Sequence, residues 1–307
     1  MGFESDYIWM DGELVAYKDA TVPFLSSALH YGLGVFEGIR CYATEQGPAI
    51  FRLRDHMQRL LNSAHILGFK EVGYNLDQLC DAVKQTIKAN KMDRCYIRPL
   101  IHHVADTPNL NLDNGEAHIG IAVWRWDSYL GAEAQQNGIR VNVSSFTRHH
   151  PNVMMTKSKM TGNYSNSVLA KTESVRLGFD EAIMLDPQGY VSECTSENLF
   201  IVRGGRIQTP LSSTVLEGIT RDTLIVLAND LGYSMEEKVM VRDQLYIADE
   251  IFVTGTAAEV VAVTEVDFRK IGSGQMGAVT HALQQAFQSV VTGSHARSSE
   301  WLEYVNV

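Results

Sequence analysis

Two lysines, Lys157 and Lys159, stand just ahead of Gly162-Asn163-Tyr164, where a strand-like pattern gives way to a helical one. A lysine amine at its reference pKa of about 10.4 is an ordinary solvated cation at neutral pH. In a pocket, or beside a cofactor charge that lowers this value, it becomes a nucleophile that can hold an aldehyde as an imine and then carry a proton. Residues i and i+2 share a strand face, so spacing does not choose between the two lysines. Further on, Ser192-Glu193-Cys194-Thr195-Ser196-Glu197-Asn198-Leu199-Phe200 supplies carboxylates. A carboxylate against a pyridine nitrogen keeps an electron-withdrawing ring protonated; the plain alternative for Glu193 is an acid at a hairpin end after Gly189. Glu217-Gly218-Ile219-Thr220-Arg221-Asp222 opens a helical pattern. A helix N-terminus presents unpaired N–H groups and the positive end of the dipole, which suit a phosphate, and Gly218 lets the backbone come close. By themselves Arg59 reads as a helix-surface charge, Tyr164 as a packing ring, and Phe36 and Trp126 as core aromatics.

Other patterns are set aside on physical grounds. Gly272-Ser273-Gly274-Gln275-Met276-Gly277 matches a dinucleotide-loop spacing, but too little chain follows for a Rossmann sheet, so a plain loop is expected. His102-His103 and His149-His150 are adjacent pairs, which point to opposite strand faces, and neither has an H-E-x-x-H neighbour; no metal site is expected. Cys41, Cys80, Cys95 and Cys194 form no C-x-x-C pair, so neither a zinc knuckle nor a disulfide framework is indicated and a reducing compartment, the cytoplasm, fits. Lys+Arg 26 against Asp+Glu 36 gives a formal charge of -10. That balance argues against broad binding to nucleic acid or to anionic membrane surfaces. No apolar run reaches the ~18 residues of a membrane span.

The elements that must position these residues divide by pattern. A strand over Ala49–Arg52 leads into a helix with Leu53, Met57, Leu60, Leu61, Ala64 and Leu67 on one face, and a second helix follows Asn75 as N-cap, with Leu76, Leu79, Cys80, Val83 and Ile87 inward. Strands over 95–104 and 117–126 complete this half, and the polar stretch 127–137 reads as a linker. Beyond it come a strand over 139–146, a hairpin turning at Gly204-Gly205, and helices over about 163–177, 220–231 and 277–291. At 307 residues the chain is long enough for roughly two domains, of α/β or α+β class.

The stretch Lys159-Met160-Thr161-Gly162-Asn163-Tyr164, followed by Ser192 to Phe200, resembles the fold-type IV pyridoxal phosphate enzymes. With His30-Tyr31-Gly32-Leu33-Gly34-Val35-Phe36-Glu37-Gly38-Ile39-Arg40 and Tyr96-Ile97-Arg98-Pro99 it resembles the branched-chain amino acid aminotransferases, collinear from about residue 7 to residue 292. The resemblance implies a two-domain fold: a small N-terminal α/β domain over 1–126, a linker over 127–137, and a larger C-terminal pseudo-barrel, cofactor-binding domain over 138–307. It implies transamination of L-leucine, L-isoleucine or L-valine with 2-oxoglutarate, giving 2-oxo acids and L-glutamate through pyridoxal 5'-phosphate. Small-molecule amino acids and 2-oxo acids are then the partners, in a homodimer at minimum; hexamers also occur in the family.

The same resemblance assigns roles. Lys159 is the imine-forming and proton-carrying amine, chosen over Lys157 by the Gly-Asn-Tyr that follows. Glu193 faces the ring nitrogen and Tyr164 the 3′ oxygen. Arg59, Thr256 and the N–H groups of Ile219 and Thr220 behind Gly218 hold the phosphate. Tyr96 and the N–H groups of Thr256 and Ala257 receive the substrate α-carboxylate. Tyr31, Phe36, Gly38, Trp126 and Tyr129 belong to the substrate wall, and Arg98, with Tyr31 and Tyr129, takes glutamate's second carboxylate. The residue at Tyr31 is contributed by the partner subunit. The segment Val104–Leu112 departs from the glycine-rich loop of bacterial relatives, which bears on specificity; the alternative is a fold-type IV transaminase of broadened or different specificity, acting on D-amino acids or (R)-amines.

Overall fold

The computed structural model describes residues 5–105, 110–126 and 130–306. Tyr129, the first residues of the expected linker and the middle of the Val104–Leu112 segment lie outside them. The described residues of 1–126, with 158–163 and 290–306, form one compact unit; those of 127–157 and 164–289 form another.

This partition is not the linear one expected for 138–307. Segment 158–163 joins the first unit because Met160 bridges Val35 and the Thr161 N–H donates to the Gly34 carbonyl at 2.9 Å. The C-terminal strand Leu302–Tyr304 joins it by pairing antiparallel with Ala49–Phe51. Both are hydrogen-bonded pairings between residues far apart in the chain, which leave no periodic trace. Ala132–Asn137 is a short helix; Ala134 is buried in the second unit's core, and Gln135 Nε2 donates to the Ala258 carbonyl at 2.7 Å.

In the first unit one antiparallel sheet runs in the order Leu302–Tyr304, Gly47–Phe51, Ile39–Thr44, Cys95–Val104, Glu116–Trp124, Tyr7–Met10, Glu13–Ala16, with Gly34–Phe36 also paired to Cys95–Val104. The helices Leu53–Leu67 and Leu76–Ala89 pack against it. The second starts as its sequence requires: Gln78 N–H donates to Asn75 Oδ1 at 3.0 Å and Asn75 N–H to Gln78 Oε1 at 2.9 Å, a reciprocal cap that satisfies two orphan donors. The buried stripe of Leu53–Leu67 is not purely apolar, because His56 and Ser63 share it with Leu53, Met57, Leu60 and Ala64.

The second unit carries a mixed sheet in the order Val191–Cys194, Glu181–Leu185, Ile139–Val143, Glu259–Val266, Glu250–Gly255, Asn198–Arg203, Arg206–Thr209, Ser234–Glu237, with Arg269–Lys270 on Glu259–Val266. The strand at 139 is shorter than the expected 139–146. Val191–Cys194 and Asn198–Arg203 stand far apart in this order yet are joined by only 3 residues, and the Cys194 N–H donates to the Glu197 carbonyl at 2.8 Å. The sheet therefore curls on itself around a core that includes Val141, Ile183, Leu199, Ile201, Val253 and Val261. Helix Tyr164–Arg176 packs on Glu181–Leu185, and Ile219–Asp230 on Glu250–Gly255.

The Gly272–Gly277 segment is a loop. The helix Ala278–Val291 after it already has an anion at its start: Glu250 accepts from the N–H groups of Val279 at 3.0 Å and Thr280 at 2.8 Å. Among the described residues no cluster of His, Cys, Asp and Glu is placed to hold a metal, and no helix is long and apolar enough to cross a membrane.

Candidate active site

In the first unit, Lys159 is anchored through its backbone. Its N–H donates to Ser63 Oγ at 3.0 Å and its carbonyl accepts from the Phe36 N–H at 3.0 Å. Thr161 Oγ1 donates to the Gly32 carbonyl at 2.7 Å, tying the other end of the segment. The ammonium Nζ then lies 5.1 Å from the centroid of the Phe36 ring. Lys157, by contrast, belongs to the second unit. Its Nζ donates to the carbonyls of Ser212 and Val215 and pairs with Glu217 at 3.1 Å, so its donors are engaged in holding the 212–217 loop. Two lysines that share i, i+2 spacing thus have different surroundings.

Behind Phe36 a charged group is completely enclosed. Glu37 is 0% exposed. Arg59 grips it with a fork, Nε to Oε1 at 2.6 Å and Nη2 to Oε2 at 2.8 Å, and His56 Nδ1 reaches Oε2 at 2.8 Å. Burial alone would raise the Glu37 carboxyl, but the Arg59 charge and the His56 bond outweigh it and hold it well below the usual carboxylate range. Burial pushes the His56 imidazole down, against the pull of Glu37, with the Arg59 and Lys159 charges acting in the same downward direction. The ring is thus neutral at physiological pH. A proton on Nδ1 serves the carboxylate, leaving Nε2 a buried acceptor without a partner.

Strand Cys95–Val104 turns Ile97 and Ile101 into the core, while Tyr96 and Arg98, two residues apart, take the other face. Tyr96 packs edge-on against Trp126 at 4.8 Å between ring centroids and against Trp124 at 5.0 Å. A Cβ at Gly38 would lie 1.9 Å from the Tyr96 hydroxyl, so only glycine lets that hydroxyl stand where it does. The Arg98 guanidinium rests over Phe36 at 4.7 Å, Tyr96 at 5.4 Å and Trp124 at 5.8 Å, and its buried Nε has no partner. Tyr31 ends the short helix Ser27–Tyr31. It is 43% exposed, in a stretch that also exposes Phe24, Leu25 and Leu29.

The second unit gathers the remaining candidates. Glu193, on Val191–Cys194, is clamped at both oxygens. Arg148 Nη2 lies 2.7 Å from Oε1, while the Leu216 N–H at 3.1 Å and Asn198 Nδ2 at 3.2 Å donate to Oε2. Asn198 also donates to the Leu216 carbonyl at 3.0 Å, which fixes the loop leading into helix Ile219–Asp230. A Cβ on Gly218 would come 2.0 Å from Asn198 Oδ1. No side chain caps the start of that helix, and Ile219 and Thr220 are buried. Thr256 and Ala257 occupy the half-buried turn between Glu250–Gly255 and Glu259–Val266, closed by a Thr254 Oγ1 bond to the Glu259 carbonyl at 2.6 Å. Tyr164 begins its helix and is half-buried.

Beside Glu193 lies a second buried acid group. Glu181 accepts from Thr195 Oγ1 at 2.6 Å and pairs with Lys171 at 2.6 Å. Burial and then the Glu181 charge push Glu197 up to about 8, so it carries a proton at neutral pH. Glu37, His56, Ser63, Arg148 and Asn198 were not singled out in the sequence. Polar residues on the buried stripe of Leu53–Leu67 were a readable signal for His56 and Ser63; Arg148 offered none.

The amino-transferase class IV family matches residues 34–266. A branched-chain-amino-acid aminotransferase of Pseudomonas aeruginosa is 48% identical over 96% of this chain and 95% of that protein. One of Escherichia coli strain K12 is 46% identical over 99% and 98%. Among solved structures, the T.th. branched-chain amino acid aminotransferase with pyridoxamine 5'-phosphate is similar with a TM-score of 0.96 at 47% identity, covering 99% of this chain and 100% of that one. The same enzyme complexed with N-(5'-phosphopyridoxyl)-L-glutamate gives 0.95 at 46%, with the same coverage.

Proposed function

The chain belongs to the amino-transferase class IV family, and from that membership we propose that it moves the amino group of L-leucine, L-isoleucine or L-valine to 2-oxoglutarate, using pyridoxal 5'-phosphate. The residues fit this cofactor. They include an amine on a fixed backbone, a carboxylate clamped by a guanidinium and two N–H donors, and an uncapped helix start behind a glycine that no Cβ could replace without a clash.

When bound, the cofactor supplies the aldehyde that accepts the amino group and the ring that draws electrons from the substrate Cα. Lys159 Nζ would hold that aldehyde between turnovers and would carry the proton at the substrate Cα. Glu193 would keep the ring nitrogen protonated, and Tyr164 would bond the 3′ oxygen. The first N–H groups of Ile219 and Thr220, with Thr256 and Arg59, bind the phosphate. Glu37 and His56 hold the Arg59 fork. Tyr96 and the N–H groups of Thr256 and Ala257 bind the α-carboxylate. Phe36, Gly38, Trp124 and Trp126 exclude water around an aliphatic side chain, with Tyr129 and Tyr31 completing the wall. Arg98, stacked on three rings and with no ion pair among the described residues, binds the second carboxylate of glutamate.

The observation that carries this reading is the contrast between Lys159, pinned beside Phe36, and Lys157, tied to Glu217 and two carbonyls. The test is borohydride reduction of the cofactor-loaded protein followed by peptide mapping. The adduct is expected on Lys159, and Lys159→Ala is expected to abolish both adduct and transamination; an adduct elsewhere overturns the assignment. A homodimer is part of the proposal, with Tyr31 serving the partner's site. It is supported by the exposure of Phe24 (77%), Leu25 (55%) and Leu29 (61%) beside Tyr31, an apolar patch that favours a protein contact over water. A cytoplasmic location is supported by four buried thiols and the acidic charge.

A further inference from the structure

A carboxylate withdrawn from water either takes up a proton or finds a cation. Glu193 is 5% exposed, and its Oε1 is met by Arg148 Nη2 at 2.7 Å. Arg148 is itself buried and held from its own side. Its backbone N–H donates to the Leu185 carbonyl at 2.8 Å, its Nη1 stands 3.5 Å from Ser167 Oγ, and its buried Nε has no partner. A guanidinium placed in so dry a position, with one nitrogen unsatisfied, is costly to the fold unless its charge serves the acid it faces.

We propose that Arg148 is a positioning residue for the transfer step, holding the Glu193 carboxylate ionised and unable to rotate, so that the ring nitrogen meets an acceptor and not an O–H. This rests on the reading of Glu193 as the partner of that nitrogen. Two features of the geometry support it. The ion pair fixes Oε1 while Leu216 N–H and Asn198 Nδ2 fix Oε2, so the carboxylate plane is set from both ends. In addition, three titratable groups near Glu193 are accounted for, and His149, next to Arg148 in the chain, is pushed down by burial and by the Arg148 charge. Cys194 is next in the chain, its thiol raised by burial and by the charges of Glu197, Glu181 and Glu193; Glu197 is a protonated acid; Lys171 is already paired with Glu181. Arg148 is a cation set directly against the Glu193 carboxylate, at 2.7 Å from Oε1.

The test compares Arg148→Met, Arg148→Lys, Glu193→Gln and the double variant Arg148→Met/Glu193→Gln. Two measurements are made: the single-turnover rate of amino transfer from L-leucine in the loaded enzyme, and the thermal midpoint of the cofactor-free full chain at about pH 5.5 and pH 8. Arg148→Met is expected to slow transfer on the order of tenfold to a hundredfold, the loss expected for one hydrogen bond to a charged group, with KM for L-leucine little changed. Arg148→Lys is expected to restore most of the rate. The cofactor-free Arg148→Met chain is expected to lose more stability at pH 8 than at pH 5.5, because ionising an unpaired buried acid costs more as pH rises, and the double variant is expected to lose that pH dependence.

A merely structural arginine would lower both midpoints equally, in the single and the double variant alike, and that result overturns the inference, as does a transfer rate within about threefold of the parent. If Arg148→Met does not fold, Arg148→Gln, which keeps a donor but no charge, is read in the same way. Glu193→Gln with a parental rate overturns instead the assignment of Glu193 to the ring nitrogen, so the two failures are told apart.

Discussion

Replacing Gly38 by alanine puts a methyl group 1.9 Å from the Tyr96 hydroxyl and 2.9 Å from its Cζ, well inside contact distance, so Tyr96 or the strand must move. The ring has little room to yield, because Tyr96 is 5% exposed and is flanked by Trp124 and Trp126. Relief needs a displacement of more than about 1 Å at the hydroxyl, enough to break a hydrogen bond. Overpacking of this kind costs about 1–3 kcal/mol of stability. If the hydroxyl binds the substrate α-carboxylate, the lost charge-assisted bond costs about a further 1.5–3 kcal/mol of binding, a tenfold to hundredfold rise in KM. The assay is steady-state transamination of L-leucine with 2-oxoglutarate, with a thermal midpoint on the same sample. Gly38→Ala is expected to raise KM far more than it lowers kcat. Gly38→Ala/Tyr96→Phe is expected to lose much less affinity relative to Tyr96→Phe than Gly38→Ala loses relative to the parent, since the worse of the two contacts, at the hydroxyl, is gone and only the one at Cζ remains. A Gly38→Ala enzyme with parental KM would refute the reasoning, because the collision would then have been absorbed without moving the group said to bind substrate.

Lys157→Ala should leave the reduced adduct on Lys159 and retain transamination, while loosening the 212–217 loop; loss of the adduct would contradict the distinction drawn between the two lysines. Glu37→Gln removes a buried carboxylate from the Arg59 fork and should destabilise the protein by about 3–5 kcal/mol, as breaking a buried pair does, and weaken pyridoxal 5'-phosphate binding in a titration by absorbance. Because the Glu37 carboxyl is held low, its contribution is present above the ordinary carboxylate range and disappears as pH falls through the folded value, so the parent and Glu37→Gln midpoints should converge only in strong acid. Glu197, pushed up from 4.5 to about 8, has the opposite sign. Its protonated form stabilises the fold fully below pH 4.5, and that contribution declines until pH passes about 8. Glu197→Gln should therefore gain stability relative to the parent between about pH 5 and pH 8, by melting curves in matched buffers; a constant difference would show that Glu197 does not titrate there.

What the amino-acid sequence determined alone is what depends on neighbours a few residues away. The cap at Asn75, the hairpin at Gly204-Gly205, the helix start at Gly218 and the alternation that sends Tyr96 and Arg98 to one face of Cys95–Val104 follow from dihedral preferences and the periods of strand and helix, which are local and legible. Tertiary structure decided everything that needed two distant segments at once. Lys159 differs from Lys157 because Ser63 and Phe36 hold the backbone of one while Ser212 and Glu217 engage the amine of the other. Arg59 is a fixed fork, not a surface charge, because Glu37 is buried against it. Arg148 meets Glu193 only because the folded chain brings the two together. Residues 132–137 of the polar run expected to be a linker form a helix whose Ala134 enters the core. Such pairings are chosen by burial and charge across the folded chain, and a lone arginine or a short polar stretch carries no pattern that announces its eventual partner.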